Sequence, residues 1–358
     1  MMNQLLFCLF LVIKITGIIL IHPVSTGVVS SHYNVVTMVH TCDTVHNDLI
    51  KKCMRGQSLD VKVGYVGTVQ SRNTVNVHLD PSRPNGCQIG PNFYEALKNV
   101  PELETLRVEF CYLKQIAKGL FQVTPKLKNL SIQYNEIDWI ENQAFSNLNN
   151  LKHVNASHNN LDYFNSGWFD CSTNLETLDF QKNKIRFILR RTFAAFTKLK
   201  VINFDYNEIS NIEPGAFEGL ENLQYLGLRN NRLTNIQAEV FSNNLRIEYL
   251  AIGGNFLNFL SNRLMAKVSV GNILMGVNPW NCFCLMNIYR WLFKMNSTTI
   301  RDNLCELDNV PVCASAVSFS DSCSEYLDEE LTQRYFGELQ KIISFPLGGR
   351  CARLDYTQ

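Results

Sequence analysis

A 24-residue period constrains the fold of this chain more than any other feature of its sequence. Seven segments share one frame from Leu103 onward, each starting 24 residues after the last, and a degenerate eighth copy starts at Val270. The segments are LETLRVEFCYL, LKNLSIQYNEI, LKHVNASHNNL, LETLDFQKNKI, LKVINFDYNEI, LQYLGLRNNRL and IEYLAIGGNFL. Repetition at such a spacing is typical of solenoids, in which each copy is one coil that buries its faces against its neighbours.

Each copy alternates apolar and polar residues before a recurring asparagine. Leu178 and Phe180 predict a short strand whose apolar side chains enter the core, while the residues between them point to an open face. The asparagine follows where the chain turns, and a buried amide there can satisfy backbone groups that the turn leaves unpaired. This asparagine column comprises Asn135, Asn159, Asn183, Asn207, Asn231, Asn255 and Asn278.

Two apolar columns recur in the same frame. One should stack as a spine inside the convex side, and it comprises Phe121, Phe145, Phe169, Phe193, Phe217 and Phe241. The other should also be buried, and it comprises Ile116, Ile140, Phe164, Ile188, Ile212 and Ile236. Three columns in a single frame predict one continuous core.

The segments match the pattern LxxLxLxxNxL, and residues from roughly 75 to 325 resemble leucine-rich repeat proteins. The resemblance implies an α/β repeat solenoid, a horseshoe with a parallel concave β-sheet and disulfide-stapled caps at both ends. We expect a signal peptide over residues 1–27, an N-terminal cap over 28–102, repeats over 103–277, a cysteine-rich C-terminal cap over 278–323 and a helical tail over 324–358.

The N-terminus predicts secretion. An apolar run from Leu5 is interrupted by Lys14, and Ser25 and Gly27 place small residues at the −3 and −1 positions of a cut before Val28. This arrangement is typical of a secretory signal peptide. The alternative is an uncleaved anchor, but Lys14 leaves no uncharged stretch of about 18 residues. We expect a secreted, extracellular protein without a membrane span.

The segment NPWNCFC from Asn278 closely resembles the start of the cysteine-rich C-terminal cap of extracellular leucine-rich repeat proteins. The crossing bridges of that family imply the pairs Cys282–Cys305 and Cys284–Cys323. A secreted context favours disulfides over metal ligation for this CxC pair, so we expect no bound metal.

The N-terminal cap contains its own cysteines. Cys42 and Cys53 bracket a short loop, and apolar alternation between Val75 and Leu79 predicts a hairpin or edge strands. Cys87 and Cys111 are 24 residues apart. If they occupy adjacent coils, their spacing suits a bridge; the alternative is two buried thiols.

Three cysteines have no partner implied by the resemblance. Cleavage removes Cys8 and leaves eleven cysteines, so at least one stays unpaired within the monomer. We expect Cys171 to be a buried thiol. Cys351 pairs with Cys313, bridges to a second chain or a different partner, or stays free.

Two further features leave alternatives open. Apolar residues at helical spacing from Tyr326 to Ile342 predict a helix, which either packs over the cap or binds a partner. A basic cluster between Lys182 and Arg191 could meet an anionic glycan or microbial surface. Alternatively, acids on neighbouring coils neutralise it, with Lys184 near Glu208 and Arg186 near Asp162.

Composition and motifs exclude several classes of function. The 33 basic and 32 acidic residues give a net charge of +1, which excludes bulk attraction to nucleic acid. Motifs of the HExxH, GxSxG and phosphate-loop types are missing from the sequence. His153 and His158 lie on or beside the open face without cysteine or carboxylate partners for zinc. We expect no enzymatic activity and no cofactor.

Three sequons predict N-linked glycans, at Asn129, Asn155 and Asn296. The first two fall on open-face strand positions, so glycans there would shield the first half of the concave face. A ligand is then expected on the second half, where tyrosine and arginine are favoured anchors. The expected contact residues are Asp205, Tyr206, Tyr225, Arg229 and Tyr249, with the rings of Tyr225 and Tyr249 stacked.

The architecture resembles the secreted leucine-rich repeat proteins of insects, the leucine-rich immune proteins and the Toll-type receptor ectodomains. The resemblance implies a recognition protein that binds another protein, a glycan or a microbial product in innate immunity. The alternative is an extracellular matrix or adhesion component that binds structural proteins or receptors. Expression after infection, as opposed to expression in developing tissue, discriminates the two.

Overall fold

The computed structural model describes residues 42–44, 50–53, 58–62, 76–80, 93–98, 100–300, 312–315 and 322–343. Its strands are short, and each coil contributes one or two of them. They are β1 (Cys42–Thr44), β2 (Ile50–Cys53), β3 (Ser58–Lys62), β4 (Asn76–Asp80), β5 (Thr105–Val108), β6 (Gln115–Ile116), β7 (Asn129–Ser131), β8 (Trp139–Ile140), β9 (His153–Asn155), β10 (Thr177–Asp179), β11 (Phe187–Ile188), β12 (Val201–Asn203), β13 (Asn211–Ile212), β14 (Asn222–Gly227), β15 (Arg246–Ala251), β16 (Ser269–Leu274) and β17 (Thr298–Thr299).

Thirteen of these strands form one sheet, in the order β1-β2-β3-β4-β5-β7-β9-β10-β12-β14-β15-β16-β17. The strands from β3 to β17 pair in parallel, and β10 places Leu178 beside Ile202 of β12, one period away. Strands β1 to β3 are antiparallel, with Cys42 opposite Cys53. The predicted solenoid with a parallel sheet is confirmed. Its parallel pairing begins at Ser58, within the segment assigned to the N-terminal cap.

Two small sheets lie apart from the main one, β6 with β8 and β11 with β13. Short 3-10 turns occur at Ser166–Phe169 and Ala238–Val240. The helices are α1 (Phe93–Lys98), α2 (Asn262–Lys267), α3 (Cys282–Lys294) and α4 (Glu329–Ile343). Helix α3 starts where the Asn281 side chain accepts hydrogen bonds from the first free backbone N–H groups.

The phenylalanine spine forms inside the coil stack, as the repeats predict. Ring centroids of Phe193 and Phe217 are 5.4 Å apart with planes at 9°, and the next pair, Phe217 and Phe241, is 5.3 Å apart. Phe164 takes the place of the usual isoleucine, and its ring lies 6.2 Å from Phe169 and 5.5 Å from Phe193. All of these rings are buried, so each coil adds an aromatic layer to one continuous core.

The C-terminal cap contains two disulfides, of which one differs from the expected pairing. Cys284 bonds to Cys323 as the family resemblance implied, but Cys282 bonds to Cys313, with Cα atoms 5.0 Å apart. The expected Cys282–Cys305 bond and the Cys313–Cys351 alternative are therefore both wrong. The reason is local: Ala314 donates to the carbonyl of Trp280 at 2.8 Å and accepts from Cys282 N at 3.1 Å, which brings residue 313 beside residue 282.

Helix α4 packs over the cap. Its side chains Leu331, Tyr335 and Leu339 are buried, and the ring of Phe336 lies 5.2 Å from that of Phe256. Asn258 holds the start of the helix in place, because its Nδ2 donates to Thr332 Oγ1 at 3.0 Å and its Oδ1 accepts from Asp328 N at 2.7 Å. This supports a cap-packing role for the helix. None of the helices in the described ranges is long and apolar enough to cross a bilayer.

The remaining cysteines divide into bonded, free and undescribed residues. Cys111 is disulfide-bonded rather than a thiol. Cys171 is exposed and free, which contradicts the expected buried thiol; its φ of 62° puts it in a left-handed turn on the surface. Cys87, Cys305 and Cys351 lie outside the described residues, and so does any bridge from Cys351 to a second chain.

Candidate ligand-binding surface

The asparagine column sets the geometry at the end of every strand. Asn183 Nδ2 donates to the carbonyls of Ala156 and Phe180, both at 3.0 Å, and its Oδ1 accepts from Leu161 N at 3.1 Å. One buried amide therefore satisfies backbone groups of two adjacent coils. The same pattern recurs from Asn135 to Asn278. The predicted structural role of this column is confirmed.

The residue directly before each of these asparagines, and before Cys111 at the equivalent position of the first coil, has a left-handed backbone conformation. Its φ lies between 50° and 67° in eight successive copies, which are Phe110, Tyr134, His158, Lys182, Tyr206, Asn230, Gly254 and Val277. In seven of these copies the N–H group donates to a carbonyl of the next coil, and that bond holds the conformation in place. We call the first five of these residues the rim column: Phe110, Tyr134, His158, Lys182 and Tyr206.

Side chains of the rim column stack from coil to coil. The rings of Phe110 and Tyr134 are 4.6 Å apart with planes at 6°, and those of Tyr134 and His158 are 4.0 Å apart. Lys182 Nζ lies 5.5 Å from the centroid of the Tyr206 ring. Phe110 is 38% exposed at one end of the column. The rim is thus a flat, partly exposed aromatic strip flanked by a cation, a surface type favoured at interfaces.

A band of hydrogen-bonded polar side chains runs beside the rim on the same face. In the first coils, Glu109 Oε1 accepts from Ser131 Oγ at 2.6 Å and from Gln133 Nε2 at 3.1 Å. Gln133 Oε1 in turn accepts from Asn155 Nδ2 at 3.0 Å. These groups are buried and bonded to one another, so they fix the sheet surface.

In the second half of the sheet the band centres on Asp205. Its Oδ2 accepts from Arg229 Nε at 2.8 Å and from Tyr225 Oη at 2.9 Å, and its Oδ1 accepts from Arg229 N at 2.8 Å. Asp205 is 1% exposed. Gly227 makes room for this arrangement, because a Cβ atom there would lie 2.6 Å from Tyr225 Cε1 and 2.7 Å from Asp205 Oδ1.

The structure therefore brings most of the predicted ligand residues together, but it bonds them to one another. Asp205, Tyr225 and Arg229 form one buried cluster, and the Arg229 guanidinium lies 6.0 Å from the Tyr206 ring. Tyr249 sits one strand further on, opposite Tyr225 in the register. The Tyr225 ring turns over Gly227 towards Asp205, and its hydroxyl group donates its hydrogen bond to that carboxylate. The cluster supports the surface, and the rim column offers the partly exposed contact groups.

Asp179 is another buried carboxylate, one coil before Asp205. Burial raises the pKa of Asp179 to about 7, and the Asp205 charge adds to the effect against opposing hydrogen bonds from Gln181 and Asn203. Because this pKa is above that of an unfolded aspartate, the folded chain holds a proton between about pH 4 and pH 7 that the unfolded chain has lost. Stability contributed by this group is therefore lost as the pH rises through that window.

We expect Asp179→Asn to gain stability relative to the wild type as the pH rises from about 5 to about 8. The neutral amide cannot ionise, so the difference in unfolding free energy should grow by at most about 1.4 kcal/mol per pH unit. Urea denaturation of both proteins across this range measures the difference. A difference that does not change with pH would contradict an elevated pKa.

The two sequon asparagines on the concave face are less accessible than the sequence predicts. Asn155 is 3% exposed, and its amide is hydrogen-bonded to Gln133 and to Ser157 N. A side chain buried this deeply leaves no room for a glycan on Nδ2, so the structure argues against Asn155. Asn129 is half-buried, with Nδ2 donating to Thr105 Oγ1 at 3.1 Å. The glycan shield that placed the ligand on the second half of the face therefore loses its main support.

The two histidines of the third coil contact neighbouring side chains, His158 through its ring and His153 through a hydrogen bond. Burial, together with Lys182, lowers the pKa of His158 to about 4, so its ring is neutral in the stack at neutral pH. His153 Nδ1 lies 3.0 Å from Thr177 Oγ1, and burial lowers its pKa as well. Across the described residues, no three His, Cys, Asp or Glu side chains group closely enough to hold a metal ion.

The rim column was missed in the sequence, although its signal was present. Each member immediately precedes a column asparagine or its equivalent, and Phe110, Tyr134 and His158 recur at the 24-residue spacing.

The basic cluster between Lys182 and Arg191 is partly neutralised, since Arg186 Nη2 lies 2.6 Å from Asp162 Oδ2. Glu208 was expected near Lys184 but pairs with Arg232 at 3.4 Å. Arg191 Nε lies 3.7 Å from Glu218 Oε2. These contacts favour charge compensation between coils over an anion-binding patch.

Comparison with known proteins agrees with the repeat fold. The model of the BspA type leucine-rich repeat region matches in six copies over residues 114–248 and 191–310, more than half of the chain. A crystal structure of an internalin (InlF) from Listeria monocytogenes is similar, with 17% identity and a TM-score of 0.47 over 65% of this chain. This chain spans 62% of that internalin chain. No curated protein matches. The chain belongs to the BspA type leucine-rich repeat family, and its repeats form an LRR interaction domain.

Proposed function

We propose that this chain is a secreted recognition protein that binds another protein or a microbial product through the rim column and the adjoining concave face. The stacked rim carries the proposal. Three rings in van der Waals register present an apolar strip with little side-chain freedom, so binding there costs little ordering entropy. The hydrogen-bonded band behind it holds the strip on a rigid sheet.

Secretion is supported by the apolar N-terminal segment with its small-residue cleavage motif and by the disulfides of the C-terminal cap. The resemblance to insect immune proteins supports innate immunity as the setting. A binding function without catalysis is supported by the bonding of the buried carboxylates: Asp205 is bonded to its neighbours and Asp179 to Gln181.

The test is capture of a partner from extracellular fluid by the full chain and two variants. Tyr134→Ser removes the central ring of the rim and should weaken capture at least about tenfold, the loss of roughly 1.4 kcal/mol expected of an interface anchor. Trp139→Ser is the matched control, since Trp139 is an aromatic residue of the same coil that is 48% exposed and lies outside the rim column.

Equal capture by all three proteins would refute a role for the rim. A microbial product or immune protein among the captured molecules supports the immune setting, whereas collagen or another structural protein supports the matrix alternative. Recovery of the chain from the culture medium, with a new N-terminus at Val28, checks secretion separately.

A further inference from the structure

Helix α3 carries an exposed apolar stripe that ends at a sequon. Met286, Tyr289, Phe293 and Asn296 follow one another at spacings of three, four and three residues, which places them along one helical face. Phe293 is 87% exposed, more than any other large hydrophobic residue in the described ranges. Tyr289 is 41% exposed and Met286 52%. Two disulfides hold this helix in place. So much exposed apolar surface on a fixed helix is expected to be covered by another group.

The turn after the helix holds Asn296 next to Phe293. Asn296 has a left-handed φ of 53°, its N–H donates to the carbonyl of Phe293 at 3.1 Å, and Ser297 N donates to the carbonyl of Leu292 at 2.9 Å. This is the bonding of a Schellman turn, which fixes the position of the residue that follows the helix. The Asn296 side chain is exposed.

Asn296 differs from the other two sequon asparagines in its hydrogen bonding. The amide of Asn155 is buried and bonded on both sides, and Asn129 donates to Thr105. Within the described part of the chain, the Asn296 side-chain amide makes no hydrogen bond that would have to break. Of the three, it is the acceptor that the folded structure accommodates.

We propose that Asn296 carries an N-linked glycan whose first sugars lie over Phe293 and Tyr289. The modification rests on the secretion proposed above. In the glycosylation reaction, Asn296 Nδ2 forms a bond to the anomeric carbon of the lipid-pyrophosphate-linked oligosaccharide donor. The bond from that carbon to the pyrophosphate oxygen breaks, the lipid pyrophosphate leaves with the electron pair, and Nδ2 gives one proton to the surrounding base.

The position of the attachment point is the reason to assign a glycan to the apolar stripe of helix α3. The C–H face of a pyranose is apolar and flat, so it can bury against an aromatic ring. A chain attached at Asn296 starts at the end of the stripe and can fold back over Phe293 and then Tyr289. The same bulky hydrophilic group would keep a bilayer or a second copy of the chain from lying flat on this face.

The experiment is a mutant cycle on the full chain secreted from a eukaryotic host. The four proteins are the wild type, Phe293→Ala, Asn296→Gln and the double variant. Glycopeptide mass spectrometry should find Asn296 occupied in the wild type. Phe293→Ala should lower the melting temperature by about 2 °C in the glycosylated background, and leave it unchanged or slightly raised in the Asn296→Gln background.

Secreted protein with Asn296 unoccupied would overturn the proposal, and so would equal effects of Phe293→Ala in both backgrounds. Binding of the glycosylated wild type to phosphatidylserine vesicles, or its dimerisation, with loss in Phe293→Ala, would assign the stripe to another occupant and also overturn it. None of these outcomes affects recognition by the rim. Failure of secretion itself is distinct, since the chain would then be missing from the medium.

Discussion

Replacing Arg229 with methionine should lower the free energy of unfolding by about 3–5 kcal/mol, because it leaves a buried carboxylate without its cation. Arg229 Nε lies 2.8 Å from Asp205 Oδ2, and the Asp205 side chain is 1% exposed. Guanidinium denaturation measures the loss. Arg232→Met is the matched control from the same coil: the Arg232 side chain is 51% exposed and its Nη2 lies 3.4 Å from Glu208 Oε2, so the change should cost less than about 1 kcal/mol.

The pH dependence separates charge from packing in this experiment. Burial raises the pKa of Asp205, and the Arg229 cation is the main opposing influence. Without that cation the pKa rises further, so the folded variant takes up a proton more readily, and its deficit should shrink as the pH falls from about 8 to about 5. Asp205→Asn in the variant background should restore part of the loss. A deficit that neither change relieves would show that Arg229 acts through packing alone.

This cluster also explains why the predicted ligand residues serve as a support. Tyrosine and arginine on an open strand face look like interface anchors in the sequence. Here Tyr225 and Arg229 both turn towards Asp205, and Gly227 leaves the space for the ring to do so. Such a choice of rotamer depends on four residues from two coils, and no periodic pattern encodes it.

The repeat, by contrast, makes the sheet, the spine and the asparagine column predictable. Each coil places the same residue type at the same position, so a contact inferred for Asn183 or Phe193 is tested again by every neighbouring coil. The cap is a single copy. The Cys282–Cys313 bond depends on residues 312–315 returning to lie beside Trp280, a long-range contact without any repetition in the sequence. The family pairing therefore failed at this bond, although it succeeded at Cys284.

The second large effect is expected at Asn207, in the middle of the asparagine column. Its Nδ2 donates to the carbonyls of Phe180 at 3.0 Å and Phe204 at 3.1 Å, and its Oδ1 accepts from Ile185 N at 3.0 Å. Asn207→Leu keeps a similar volume but leaves these three buried backbone groups unpaired. Each such group costs about 1–3 kcal/mol, and because neighbouring losses are not additive we expect about 3 kcal/mol in total.

The matched control for this prediction is Asn211→Leu in the same coil, because Asn211 is exposed on strand β13. It should change the unfolding free energy by less than about 0.5 kcal/mol. Thermal and urea unfolding of both variants decides the matter. Since each coil contacts only its neighbours, the loss at Asn207 should also appear as faster amide hydrogen exchange confined to the adjoining coils. Equal stability of the two variants would mean that the turns hold without their amides, and that the column asparagines do not set the strand ends on which the rim is built.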